Sequence, residues 1–142
     1  MKIPAWLIIS ISMTALIITL PACTQQIKVT DNTTPRRYPY DKSTIKVIDI
    51  QVKRDKTNIL ITNTTANSYN DFDLWLNERY LRHVNSLKAG ETKTLSLYEF
   101  VDEYSEGLKV GGFLATGHPD PIIKAEIETN SGMIGLIAVA DH

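Results

Sequence analysis

From Ile45 onward the sequence predicts an all-β domain, an antiparallel β-sandwich of about seven strands. Three observations carry that expectation. Apolar residues recur with period two in short runs, the spacing that puts alternate side chains on one face of a strand. Turn-forming residues interrupt these runs about every ten positions. Seven or eight such runs fit into about one hundred residues, and two face-to-face sheets are the usual way to bury one side of each.

Ile48, Ile50 and Val52 share one face of a first strand, and Ile59 and Ile61 one face of a second, with Lys53 to Asn58 as the polar connection. On a third strand Phe72, Leu74 and Leu76 alternate with Asp73 and Trp75. Asn77-Glu78 can reverse the chain into Arg79 to Val84, where Tyr80, Arg82 and Val84 point opposite to Leu81 and His83. Leu87-Lys88-Ala89-Gly90-Glu91 contains the glycine a tight turn wants and leads into a fifth strand with Leu95 and Leu97. Glu99 to Glu106 is acidic and aromatic, with a spacing that suits a single helical turn. Val110-Gly111-Gly112-Phe113 reads as an extended, glycine-weakened segment, an edge or a close backbone approach. The clearest hairpin comes last: Ile122 to Thr129 and Met133 to Ala140 joined by Asn130-Ser131-Gly132, with Ile123, Ala125 and Ile127 facing one way.

The stretch from Asn63 to Leu97 carries an Asn63-Thr64-Thr65 run, the Asp73-Leu74-Trp75-Leu76 strand and a Leu87-x-x-Gly90-Glu91-Thr92 turn. It resembles the small immunoglobulin-like domains of many bacterial surface lipoproteins, although the two cysteines that flank the tryptophan in antibody domains are absent. The resemblance implies an immunoglobulin-like sandwich with Trp75 as a candidate core aromatic. It implies no activity, since such folds host many functions.

At the other end of the chain, one positive charge at Lys2 precedes an apolar run from Ile3 to Leu20, followed by Pro21-Ala22-Cys23. A charged start, an apolar middle and a small-residue cleavage site make a secretory signal. Leu20-Pro21-Ala22-Cys23 resembles the lipobox of bacterial lipoproteins, which implies cleavage before Cys23 and lipid attachment to its thiol. Cys23 is the only cysteine, so no intramolecular disulfide is possible, and lipidation accounts for a lone extracytoplasmic thiol. Two or three acyl chains hold a protein to a bilayer where one gives only marginal binding. An uncleaved signal anchor is the alternative. Its run is at the lower edge of a spanning length, and Pro4, Ser10, Ser12, Thr14 and Thr19 weaken it. In both readings Lys2 stays inside and the residues after Cys23 face out. Thr24, where many inner-membrane lipoproteins carry Asp, implies outer-membrane sorting in a host that has one.

The expected organisation is therefore a signal peptide over 1–22, a lipidated cysteine and flexible linker over 23–43, and the β-sandwich over 44–142. Cleavage leaves 120 of the 142 residues, with 14 basic side chains against 16 acidic ones. That suffices for one domain and one core. A slightly negative balance supplies no field for nucleic acid or an anionic membrane surface. The stretch from Thr24 to Ser43 is polar and interrupted by Pro35 and Pro39, as a stalk would be. Arg36-Arg37 with Tyr38 and Tyr40 offers a contact to headgroups or a wall polymer, but two adjacent charges fall short of a polybasic cluster.

Catalytic chemistry is not legible. No nucleophile elbow surrounds a serine. His83 reads as a surface histidine, and His118-Pro119-Asp120-Pro121 as a stiffened loop that holds an imidazole near a carboxylate, with a structural turn as its plain explanation. On a helical turn Glu99, Asp102, Glu103 and Glu106 would share a side, though they match no calcium loop and read as a solvated face. No metal or other cofactor is expected. Tyr69, Tyr80, Tyr98 and Tyr104 are candidate stacking aromatics, Tyr69 foremost because it sits among Asn67, Asn70 and Asp71. Asn32 and Asn63 head Asn-x-Thr triplets that have no acceptor role in a bacterial lipoprotein. The resulting expectation is a membrane-tethered, non-catalytic module that binds an envelope protein through sheet edges or the loops around Tyr69, His118 and Asp120. The alternative is a binder of envelope glycans or small ligands, recognisable by coplanar, exposed Trp75 and tyrosines.

Overall fold

The computed structural model describes residues 33–112, 115 and 117–140. The expected signal peptide, Cys23, Thr24 and Phe113 lie outside the described residues. The described chain is all-β, as the sequence predicts. Its strands are β1 (Thr44–Asp55), β2 (Asn58–Asn63), β3 (Tyr69–Leu76), β4 (Tyr80–Leu87), β5 (Thr92–Ser96), β6 (Ala125–Thr129) and β7 (Gly132–Val139), with one 3-10 turn at Leu97–Glu99.

All seven strands belong to a single sheet in the order β4-β3-β6-β7-β1-β2-β5. Neighbours run antiparallel except β1 and β7, which pair parallel. One mixed, strongly curved sheet thus does the work expected of two antiparallel ones. Register shifts on β1, between Thr44 and Lys46 and between Val47 and Gln51, let the long strand bend. The curl brings the outermost strands together, and the Lys93 ammonium of β5 donates to the Ser86 carbonyl of β4.

Curvature gives the sheet one inner face. Ile50 and Val52, Ile59 and Ile61, Phe72, Leu74 and Leu76, Val84 and Leu87, Leu95, Ile127 and Leu136 all bury there as one cluster. Each such side chain contributes about 1.5–3 kcal/mol by leaving water. Arg82 is the exception on this face. Its Nη2 pairs with Glu99 at 2.5 Å and its guanidinium lies 6.0 Å from the Phe100 ring centre, while Nε and Nη1 are buried without an acceptor among the described residues. Burial lowers the Arg82 pKa, opposed by Glu99.

The hairpins form where the turn chemistry predicts. Asn77 and Glu78 both take positive φ, 54° and 56°, the geometry of a two-residue hairpin turn. Thr129 faces Gly132 across Asn130-Ser131. Gly132 is needed for a close approach: a Cβ there would sit 2.8 Å from the Ser43 carbonyl oxygen.

Three expectations require correction. Residues 33–43, expected as the distal part of the flexible linker, lie packed across the outside of the sheet, with Thr33 and Tyr38 buried. The expected helical turn in Glu99 to Glu106 is a 3-10 turn ending at Glu99, followed by a tight loop. That loop is wound around Asp102, which is buried, so its backbone groups bond inward and the four carboxylates do not share a solvated face. At Val110-Gly111-Gly112 the close approach, and not an edge strand, is what the structure has: a Cβ on Gly111 would lie 3.1 Å from the Pro119 Cβ. Ile123 is 75% exposed, because Asn77 bonds the Ile123 and Lys124 amides and the Pro121 carbonyl and holds this stretch out of the sheet until Ala125.

Candidate functional site

The outer face of the sheet is organised by the strap formed by residues 33–43. Alternation on β3 points Phe72, Leu74 and Leu76 inward, so Asp73 and Trp75 point outward; β6 likewise turns Glu126 and Glu128 outward, and β4 turns out Leu81 and His83. The strap covers these side chains. Thr33 Oγ1 accepts the His83 amide at 3.1 Å, and Arg36 Nη2 donates to Asp73 Oδ2 at 2.6 Å and to Glu128 Oε2 at 2.5 Å. Lys42 Nζ donates to Glu128 Oε1 at 2.7 Å, and the Ser43 carbonyl accepts the Met133 amide at 3.0 Å.

Tyr38 is the central anchor of the strap. It packs with Trp75, Leu81 and Met133 in a second apolar cluster, and its ring meets Trp75 edge-on at 5.3 Å between centres. Its hydroxyl donates to Glu126 Oε2 at 2.5 Å, while Glu126 Oε1 accepts from Thr44 at 2.7 Å and from Lys124 at 3.1 Å. Burial opposes ionisation of Glu126, but bonds from Thr44, Tyr38 and Lys124 outweigh it and lower its pKa. Glu128 follows the same logic. Burial is overcome by Arg36, Lys42 and the Trp75 Nε1–H, which holds it at 2.9 Å, so its pKa falls to about 2. Tyr38 moves the other way: burial and its bond to Glu126 raise its pKa.

Where the strap passes the β3–β4 turn it forms one wall of a cleft of about 500 Å³. Arg37, Tyr38 and Tyr40 supply that wall; Asn77, Glu78 and Arg79 line the turn, and Asp102, Glu103 and Tyr104 the opposite side. The frame is rigid. Asp102 Oδ1 accepts the Tyr104 and Glu106 amides, both at 2.9 Å, and Oδ2 accepts Arg79 Nη2 at 2.7 Å. Burial opposes ionisation of Asp102, but Arg79 and the two amides lower its pKa. Lys124 bonds Glu78 at 2.5 Å. Into this frame project Tyr104, 74% exposed, and Tyr40, 64% exposed. Arg37 lies over the Tyr40 ring at 5.6 Å and has no ion pair among the described residues. A smaller cleft of about 260 Å³ opens beside His83, Asp71 and Asn130.

Of the residues singled out from sequence, Tyr69 begins β3 and is partly buried against the core, because its ring faces inward opposite Leu87; it is not a loop platform. His118 is exposed. Asp120 is scaffolding: its amide donates to the Lys109 carbonyl, its carboxylate accepts the Lys109 amide at 3.2 Å, and its carbonyl accepts from Arg54. None of the three lines either cleft. Trp75 is fully buried, so the expected platform of exposed Trp75 and coplanar tyrosines is absent. His83 is partly covered, with Nδ1 at 2.9 Å from Asp73. Asn63 is buried, its side chain bonding the Asn67 and Lys88 carbonyls and the Thr65 amide, which closes it to any modification. Among the described residues no three His, Cys, Asp or Glu side chains gather as a metal site, and no helix is long and apolar enough to cross a membrane.

Sequence reasoning weighed Arg37 and Tyr40 only as a contact to headgroups or a wall polymer, Glu103 only as a calcium-ligand candidate and Tyr104 only as one aromatic of several; it did not bring the four together as one site. Arg36-Arg37-Tyr38 with Tyr40 was the available signal, visible as an unusual basic and aromatic run inside a polar stretch. Comparison with protein families, with curated proteins and with solved structures returned no match to this chain.

Proposed function

We propose that the protein is a lipid-tethered, extracytoplasmic lipoprotein whose β-domain is a non-catalytic module that binds an envelope component through the cleft between the strap and the Asp102–Tyr104 loop. The lipobox-like Leu20-Pro21-Ala22-Cys23 supports the tether. The observation that carries the binding role is the cleft itself: framed by the Arg79–Asp102 and Lys124–Glu78 ion pairs, of which the Asp102 carboxylate is buried, and presenting two exposed tyrosine rings beside an arginine with no ion pair among the described residues. Contact with an envelope protein is a second reading, favoured by the exposed apolar side chains Ile45 and Val47 on β1 and Ile137 on β7.

In-cell crosslinking from a photoreactive amino acid at Tyr104, run beside Cys23→Ala, tests the proposal. A discrete adduct that requires intact Cys23 is the expected result. An unanchored wild-type protein would sink the tether, and absence of an adduct at Tyr104 together with a protein adduct at Val47 would move the binding surface to the outside of β1.

A further inference from the structure

We infer that the cleft takes a saccharide bearing a carboxylate, with Arg37 pairing the acid group, the Tyr40 and Tyr104 rings covering sugar faces, and Glu103 accepting hydroxyl hydrogen bonds. The inference rests on the cleft being the binding site and adds the chemistry of its ligand.

The charges decide the first part. Three of the ionised groups on the cleft wall already have partners: Arg79 holds Asp102 at 2.7 Å, and Lys124 holds Glu78 at 2.5 Å. Arg37 and Glu103 are exposed and take part in no ion pair among the described residues. They stand on different walls, one on the strap and one on the loop. A ligand that satisfies both carries an acidic group at one end and hydrogen-bond donors at the other. Stacking on Tyr40 holds the Arg37 guanidinium in place and leaves its N–H fork free for a carboxylate, the bidentate geometry that arginine favours.

The surroundings select a sugar over a peptide. An added peptide strand needs a row of unpaired backbone groups, yet the backbone here bonds internally: the Tyr40 amide to the Tyr38 carbonyl, Lys42 to Pro39, Ser105 to Asp102 and Asp102 to Glu106. A side-chain anchor needs an apolar pocket, and Tyr38 already fills the one beneath the strap. The apolar surface that remains is the Tyr104 ring and the part of the Tyr40 ring that Arg37 and Tyr38 leave uncovered. Flat rings with planar charged groups at their margin suit a ligand with an apolar face and a hydroxylated rim.

The probes are trigalacturonate, its methyl ester and maltotriose, titrated into the purified full chain in detergent and followed by calorimetry and by the Arg37 Nε–H and Tyr104 amide NMR signals. Trigalacturonate is expected to bind about tenfold more tightly than the ester, the size of one charge-assisted pair, and to weaken with added salt. Arg37→Gln closes that gap, while Tyr104→Ala weakens acid and ester alike; both residues are exposed, and an unchanged amide spectrum elsewhere verifies the fold. Equal binding of acid and ester overturns the role of Arg37. If no saccharide moves either signal but the Tyr104 photocrosslink captures a protein in cells, the ligand class is wrong and the cleft still binds. If neither occurs, the cleft reading falls with it.

Discussion

The two faces of β3 show two different ways of holding one sheet. Inward, Phe72, Leu74 and Leu76 join an apolar cluster drawn from every strand. Outward, Asp73 and Trp75 lie beneath a strap held by Arg36, Tyr38 and Lys42 through the buried carboxylate of Glu126 and the partly buried ones of Asp73 and Glu128. Apart from the Arg82–Glu99 pair, the inner face needs only shape and hydrophobicity, so many sequences could fill it. The outer face needs particular partners, because an unpaired carboxylate there would be costly to bury. Stability and specificity are thereby assigned to opposite sides of the same strands, and the cleft lies on the specific side.

The largest expected effect lies inside. Leu74→Ala removes a fully buried side chain from the middle of the sheet and should destabilise the domain by about 2–5 kcal/mol in urea unfolding. The loss should be the same at pH 7 and pH 4, where an outer-face variant would differ. Glu126→Gln keeps the shape but weakens the bonds to Tyr38, Thr44 and Lys124; a loss of about 1.5–3 kcal/mol is expected, with faster hydrogen exchange in the strap than in β2. A loss spread evenly over both faces would remove the distinction between them. The third effect is gradual. Glu128 titrates near 2 in the folded protein against an ordinary value of 4.5. Its folded value lies below its unfolded one, so its stabilisation is complete above pH 4.5 and is lost as the pH falls toward 2. Urea midpoints across that window should drop in the wild type and drop less in Glu128→Gln.

The period-two pattern located the strands because it reports which residues share a face, and the paired residues of β1 to β4 follow it closely. It carries no information about which strands become neighbours. The parallel β1–β7 pair and the closure into one sheet depend on contacts between residues far apart in sequence. Lone polar residues inside strands were legible only as outward-facing, so the sequence could not show that Glu126 and Glu128 would be covered. The strap escaped for the same reason: two prolines and many polar groups describe a linker and an extended segment docked on polar partners equally well. Tyr69 shows the opposite error, since its Asn and Asp neighbours read as a loop although the ring itself is inward in β3.

The docked strap also has a mechanical consequence. Its eleven residues, 33–43, have an extended contour of about 36–40 Å, yet they cross only four interstrand spacings, about 19 Å from β4 to β1. A pull applied upstream of Thr33 meets the His83, Arg36, Tyr38 and Lys42 contacts in succession, as in opening a zip. The parallel ladder between β1 and β7 must instead yield by sliding, with several hydrogen bonds strained at once. The strap is therefore a reserve of slack, released at low force before the domain itself begins to unfold.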